Sequence, residues 1–187
     1  MKKLLLHSCC APCSSAVVER LMEEFDIAIY YYNPNIDTKL EYVRRKEELE
    51  KLKKFVDRLE IIEERYEPEE YDEAVRGLET LGEGSERCYR CYELRMRRTA
   101  KYAMEYGYDV FTTTLSVSPH KKAEWIHEIG ERLAGEYGVV YLDEDFKKRD
   151  GYKRSLELSR ELGMYRQDYC GCRYSKAETW ARKRIKK

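Results

Sequence analysis

The segment Lys3-Leu4-Leu5-Leu6-His7-Ser8-Cys9-Cys10-Ala11-Pro12-Cys13-Ser14-Ser15-Ala16-Val17-Val18 decides the fold class of this 187-residue chain. Lys3 to His7 is a short apolar run that stops at a polar turn, so it reads as a first strand. From Ser14 to Phe25, apolar residues at Val17, Val18, Leu21, Met22 and Phe25 recur at the spacing of one helix face. Ile27 to Tyr32 is β-branched and aromatic and ends in Asn33-Pro34-Asn35, a second strand closed by a turn. Strand, turn, helix and strand in that order open a parallel sheet.

The alternation continues outward. The pattern predicts a charged helix over Thr38–Val56, a strand over Leu59–Ile62, and a short helix over Glu69–Arg76 behind Pro68. It then predicts a helix over Tyr89–Tyr106, strands over Val110–Leu115 and Val139–Leu142 with a helix over Lys121–Tyr137 between them, and closing helices over Tyr152–Leu162 and from Ser175 onward. Strands separated by such helices imply right-handed crossovers. The expected fold is α/β, a Rossmann-like three-layer fold around a central parallel sheet of about five strands. Residues 1–187 read as one domain, with 150–187 a helical extension carrying Cys170-Gly171-Cys172. In open α/β sheets the ligand site lies beyond the carboxyl ends of the strands. Ser8-Cys9-Cys10, Asn33-Pro34-Asn35 and Ser116-Val117-Ser118-Pro119 all fall there.

Composition narrows the function classes. The opening Met1-Lys2-Lys3-Leu4-Leu5-Leu6 run is too short for the apolar core of a signal peptide, and no stretch is long enough to span a bilayer. The expectation is a cytoplasmic protein without a membrane partner. In that compartment clustered cysteines point to metal binding or catalysis rather than a disulfide scaffold. There is no P-loop, no GxGxxG after the first strand and no GxSxG, so nucleotide-driven and serine-hydrolase chemistry lack support. Net charge is zero. Yet Glu60–Glu93 carries 12 acidic and 4 basic residues, and Arg173–Lys187 carries 7 basic and 1 acidic. A basic end on a neutral chain is a candidate contact for a polyanion, with a solvated terminal helix as the plain alternative. Lys176, Arg182, Lys183 and Arg184 are the candidates for that polyanion contact. The 17 tyrosines read mostly as half-buried packing residues, with stacking on bases a role for some.

Seven cysteines in three tight groups carry the chemistry. Cys88-x-x-Cys91 at a helix start can grip one metal or cluster, because free N–H groups and the helix dipole there stabilise thiolates. Cys9 and Cys10 are adjacent and point in different directions, so they reach two metals, or one large cluster where the backbone bends. Cys9, Cys10, Cys88 and Cys91 also satisfy the count of a closed tetrahedral zinc site. Cys13 reads as a packing residue. Cys170-Gly171-Cys172 can close only a small strained ring, which suits electron transfer better than bracing, with further metal ligands or two unpaired thiols as the alternatives. His7 stands beside the thiols as a ligand, a proton donor or a satisfied polar group.

These motifs together resemble the QueH family of epoxyqueuosine reductases. The residues that carry the resemblance are His7-Ser-Cys-Cys-Ala-Pro-Cys-Ser14, Tyr32-Asn-Pro-Asn-Ile36, Glu41-Tyr42, Arg87-Cys88-x-x-Cys91-Tyr92 and Phe111-Thr-Thr-Thr-Leu115 with Ser118-Pro119. Asp145-Phe-Lys-Lys148, Gly151-Tyr152 and Tyr165-Arg-Gln-Asp-Tyr-Cys-Gly-Cys172 complete it. Where a His-Pro pair is expected after Ile36, this chain has Asp37-Thr38. The resemblance implies the last step of queuosine biosynthesis: epoxyqueuosine at the wobble position of a tRNA anticodon is reduced to queuosine, and the epoxide oxygen leaves as water. It implies an iron–sulfur-dependent oxidoreductase with a [4Fe-4S] cluster on Cys9, Cys10, Cys88 and Cys91. It further implies a redox-active pair, Cys170 and Cys172, no cobalamin, and tRNA as the polyanion met by Lys176, Arg182, Lys183 and Arg184. An additional adjacent iron, the electron donor and the proton donor are left open, the last among His7, Asp37 and the tyrosines near Tyr30–Tyr32. Two other classes compete: a zinc-stabilised, non-catalytic RNA-binding module, and a metal-free thiol oxidoreductase.

Overall fold

The structure, a computed structural model, describes residues 1–185. Lys186 and Lys187 of the basic end lie outside the described residues. Strand β1 (Lys2–His7) buries Leu4, Leu5 and Leu6 completely, because both of its faces are covered by helices. Fully burying each such side chain stabilises the fold by about 1.5–3 kcal/mol. Helix α1 (Ala11–Leu21) starts three residues earlier than its apolar spacing predicts. Pro12 accounts for this: it lacks an N–H, its φ is preset for a first turn, and Cys10 just ahead takes the extended conformation of a cap residue. Phe25 opens strand β2 (Phe25–Tyr31) rather than closing the helix.

The chain then runs through α2 (Lys39–Glu48), a 3₁₀ turn (Leu49–Lys54), β3 (Glu60–Glu63), α3 (Pro68–Ala74) and α4 (Glu86–Glu105). It continues with β4 (Val110–Thr113), a 3₁₀ turn (Thr114–Val117), α5 (Ala123–Tyr137), β5 (Val140–Tyr141), α6 (Gly151–Glu161) and α7 (Arg173–Ile185). The long helix expected over Thr38–Val56 is thus split, and Val110–Leu115 turns into 3₁₀ geometry at Thr114. All five strands are parallel in the order β3-β2-β1-β4-β5. The strand order reverses between β1 and β4, and the crevice beyond their carboxyl ends is where such sheets bind ligands. Gly130 of α5 lets that helix lie against β5: a Cβ there would sit 2.3 Å from the Tyr141 ring.

The tyrosines of β2 are more buried than their polar tips suggest. Tyr30, Tyr31 and Tyr32 are sealed in the core. The Tyr31 hydroxyl donates to the Tyr42 carbonyl at 2.9 Å, and the Tyr32 hydroxyl donates to the Glu70 carboxylate. Partnering of this kind offsets much of the cost of burying these two phenols, whereas the Tyr30 hydroxyl is buried with no partner among the described residues. No helix among the described residues is long and apolar enough to cross a membrane.

Candidate active site

Cys9 and Cys10 leave β1 on the turn into α1, at the point where the sheet order reverses. The Cys9 N–H donates to Thr114 Oγ1 at 3.3 Å, which ties the turn to the segment leaving β4. The Asn33 side-chain amide donates to the Ser8 carbonyl at 2.8 Å and ties it to the segment leaving β2. One turn into α1, Cys13 projects back to the same place, and the Sγ atoms of Cys9, Cys10 and Cys13 all lie within 4.8 Å of one another. Cys13 is therefore a third thiol of this group, and it also packs against both hydrophobic cores as expected. The three share protons unequally. Hydrogen bonds from Cys10 and Cys13 pull the Cys9 thiol well below its usual range. Cys10 accepts a favourable contact from Cys13, but its bond to Cys9 and its burial push it up to about 11.

Cys88 and Cys91 stand one turn apart on the first turns of α4. The Gly84 N–H donates to Cys88 Sγ at 3.3 Å. Burial pushes the Cys91 thiol up to about 12. The third group meets the second: Cys172 and Cys91 share one small cluster with Tyr71 and Val75, while Cys88 packs against the larger core that contains Cys9 and Cys10.

The Cys170-Gly171-Cys172 loop is pinned from below. Arg45 donates to the Cys170 carbonyl at 2.9 Å and to Glu41 at 2.7 Å, and the Asp37 N–H donates to the Gly171 carbonyl at 2.8 Å. Gly171 is required here: its φ of 136° lies in the region that side chains avoid, and a Cβ would press on Arg45 Nη1 at 3.1 Å and Ile36 at 3.2 Å. Cys170 and Cys172 are free thiols. The hydrogen bond from Cys172 lowers the Cys170 thiol, and the same bond raises Cys172.

Cys9, Cys10, Cys13 and Cys170 line one cavity of about 300 Å³, with Lys121 and Tyr169. His7 and Asp37 lie outside that lining. His7 is sealed: Nε2 donates to the Tyr32 carbonyl at 3.1 Å, and Nδ1 accepts from the Thr113 hydroxyl at 2.9 Å. Burial drives its pKa down to about 4, so both nitrogens are spent within a neutral ring. The Asp37 carboxylate faces Lys176 at 3.8 Å. On α7, Arg182 pairs with Glu83 at 3.1 Å and lines the cavity, Lys183 pairs with Asp168, and Arg184 is exposed.

Positive charge converges on the thiols. Burial opposes the charge of Arg95, but the facing thiols of Cys91, Cys170 and Cys9 outweigh it and raise its pKa. Among the described residues Arg95 donates only to the Cys91 carbonyl at 3.2 Å and to Asn33 at 3.4 Å; its Nη2 is buried with no partner there, as is Nη2 of Arg45. Thiolate donors from separate segments, faced by buried cations with orphaned N–H groups, are the donor chemistry of an anionic, thiolate-held iron–sulfur centre. The donor types suit such a group, and among the described residues Cys9, Cys10 and Cys13 are the thiols that stand close enough together to share one metal. Sequence reasoning did not single out Arg45, Arg95 or Lys121. Arg95 had a signal, since 88, 91 and 95 share one helical face; Lys121 had none.

Comparison with known proteins agrees with this arrangement. A family model described as epoxyqueuosine reductase QueH matches residues 4–178. The epoxyqueuosine reductase QueH of Staphylococcus epidermidis is 44% identical over 177 residues, covering 91% of this chain and 74% of that protein. That of Streptococcus pyogenes is 41% identical over 177 residues, covering 92% and 69%. That of Thermotoga maritima is 38% identical over 181 residues, covering 95% and 92%.

Proposed function

The chain belongs to the epoxyqueuosine reductase QueH family, and from that membership we propose that it reduces epoxyqueuosine to queuosine at the wobble position of tRNA anticodons. The observation that carries the reading is the meeting of the first and third cysteine groups in one cavity at the sheet's switch point, lined by Cys9, Cys10, Cys13 and Cys170, with buried Arg95 facing a thiol of each of the three groups. In this proposal Cys9, Cys10, Cys88 and Cys91 hold a [4Fe-4S] cluster, and Cys13 would serve an additional iron beside it. When bound, the cluster supplies single-electron transfer and an iron Lewis acid.

The chain's own residues do the rest. The cavity takes the modified base, splayed from the anticodon loop, beside Tyr169 and Tyr152. Cys170 and Cys172 form the redox pair. Closing to a disulfide releases two electrons and two protons, the count needed for the epoxide oxygen to leave as water while both C–O bonds break and a C=C bond forms. An external low-potential reductant, small or protein, then reopens the pair. Arg45 and Gly171 hold that pair against the cavity.

The α7 cations beside the cavity contact tRNA phosphates. Replacing Lys183 and Arg184 together by alanine is expected to weaken anticodon-RNA binding at low salt. The slope of log affinity against log salt should become shallower by about 1.4. A slope equal to the wild type's would remove these two side chains from the interface.

The function is tested by anaerobic reconstitution with iron and sulfide, followed by assay of epoxyqueuosine-containing anticodon RNA for queuosine. The expected outcome is brown protein with about five irons and four sulfides per chain, four irons in the cluster and one beside it, and conversion to queuosine. Colourless protein with stoichiometric zinc after anaerobic handling would instead support a structural zinc module.

A further inference from the structure

Three cationic side chains line the cavity: Lys121, Arg166 and Arg182. Two are already engaged. Arg182 pairs with Glu83 at 3.1 Å. Arg166 donates to Ser159 Oγ at 3.1 Å and to the Ser155 carbonyl at 3.4 Å, with its guanidinium 5.6 Å from the centre of the Tyr152 ring. The Lys121 ammonium, among the described residues, has neither a carboxylate nor a hydrogen-bond acceptor. It shares the lining of this one cavity with Cys9, Cys10, Cys13 and Cys170.

Its backbone is fixed on both sides. The Lys121 N–H donates to the Ser118 carbonyl at 3.2 Å, and its own carbonyl accepts from Lys147 Nζ at 3.5 Å. It sits in the link from β4 to α5, so the switch point itself presents it to the cavity. By contrast, the proton-donor candidates raised from sequence, His7, Asp37 and Tyr30 to Tyr32, do not line the cavity.

We propose that Lys121 is a catalytic residue whose ammonium binds the epoxide oxygen and stabilises the negative charge that builds on it as it departs. This rests on the reductase reading above. Across the whole reaction the epoxide takes up two electrons and two protons, supplied by the dithiol pair or by an external low-potential reductant, and becomes an alkene and water. Lys121 adds no electrons. A cation already placed in the cavity is worth most where charge develops, so its effect falls on kcat more than on KM.

The test uses the reconstituted holoenzyme and its Lys121→Met and Lys121→Arg variants, with two anticodon stem-loops, one containing epoxyqueuosine and one queuosine. Lys121→Met is expected to keep its iron and sulfide content and to lose about 10²–10³-fold in kcat with little change in KM. Lys121→Arg is expected to recover at least about tenfold of that loss, because it restores a cationic donor. In binding, the wild type is expected to prefer the epoxide RNA over the product RNA, and Lys121→Met to abolish that preference.

A kcat within about threefold of wild type would overturn the proposal. So would an unchanged binding preference, or a loss of iron in step with activity, which would make Lys121 a counter-ion for the metal centre. If the wild type itself neither converts the epoxide nor distinguishes the two RNAs, the reductase reading fails and the role of Lys121 falls with it.

Discussion

Exchanging Cys91 for serine is expected to give a folded protein that emerges from anaerobic reconstitution without brown colour. Cys91 is buried against Tyr71, Val75 and Cys172, and serine is close to it in shape, so the local packing survives. What is lost is a thiolate, and a hydroxyl does not replace it as a ligand for iron and sulfide. Cluster content and reduction of epoxyqueuosine should both fall by more than about 100-fold. Cys88→Ala should behave alike. Cys13→Ser is the informative contrast. If Cys13 serves an additional iron rather than the cluster, this variant keeps its acid-labile sulfide, loses iron and loses activity. Equal sulfide loss in Cys13→Ser and Cys91→Ser would place Cys13 among the cluster ligands. Full cluster content in Cys91→Ser would remove Cys91 from the ligand set.

Replacing Arg45 by methionine is expected to cost about 3 kcal/mol of stability. The Arg45 side chain is 1% exposed, and it joins α2 to the Cys170-Gly171-Cys172 loop. Methionine fills much of the volume but leaves Glu41, only 13% exposed, without its cation, and leaves the Cys170 carbonyl without its donor. For a chain of this length the melting temperature should fall by roughly 6–12 °C. A loosened loop should also make the Cys170 thiol react faster with an alkylating reagent below the melting transition. Arg45→Lys, which keeps the charge but not the two-pronged geometry, should restore part of the stability and little of the thiol protection. Wild-type thiol reactivity in both variants would show that Gly171 and the Asp37 N–H hold the loop without Arg45.

The layered architecture was open to reading because its signals are local. Leu4 to Leu6, the helical spacing of Val17, Val18 and Leu21, and the β-branched run before Asn33 each report burial within a few residues. Element ends were less legible. Pro12 started α1 early, and Phe25 served the next strand, because capping and sheet register outweigh apolar spacing at the boundaries. The tyrosines of β2 were misjudged because their hydroxyl partners, Tyr42 and Glu70, come from distant segments.

In the site, the cysteine groups announced themselves by residue type, since tight groups of thiols on turns have few uses other than sulfur chemistry. Their cations did not. Arginine and lysine are common on surfaces, and nothing in the sequence near Arg45 or Lys121 marks it as buried or unpaired.

The sequence by itself determined the strand–helix alternation, the three cysteine groups, and the match to a reductase family across residues 4–178. These are properties of spacing and residue type along one chain. Only the tertiary structure decided that Cys13 stands with Cys9 and Cys10, that His7 spends both nitrogens inside the core, and that Lys121 shares a cavity with the thiols and, among the described residues, has no carboxylate partner. Those facts depend on which segments leave β1, β2 and β4 at the same edge, and a parallel sheet brings together residues more than a hundred positions apart.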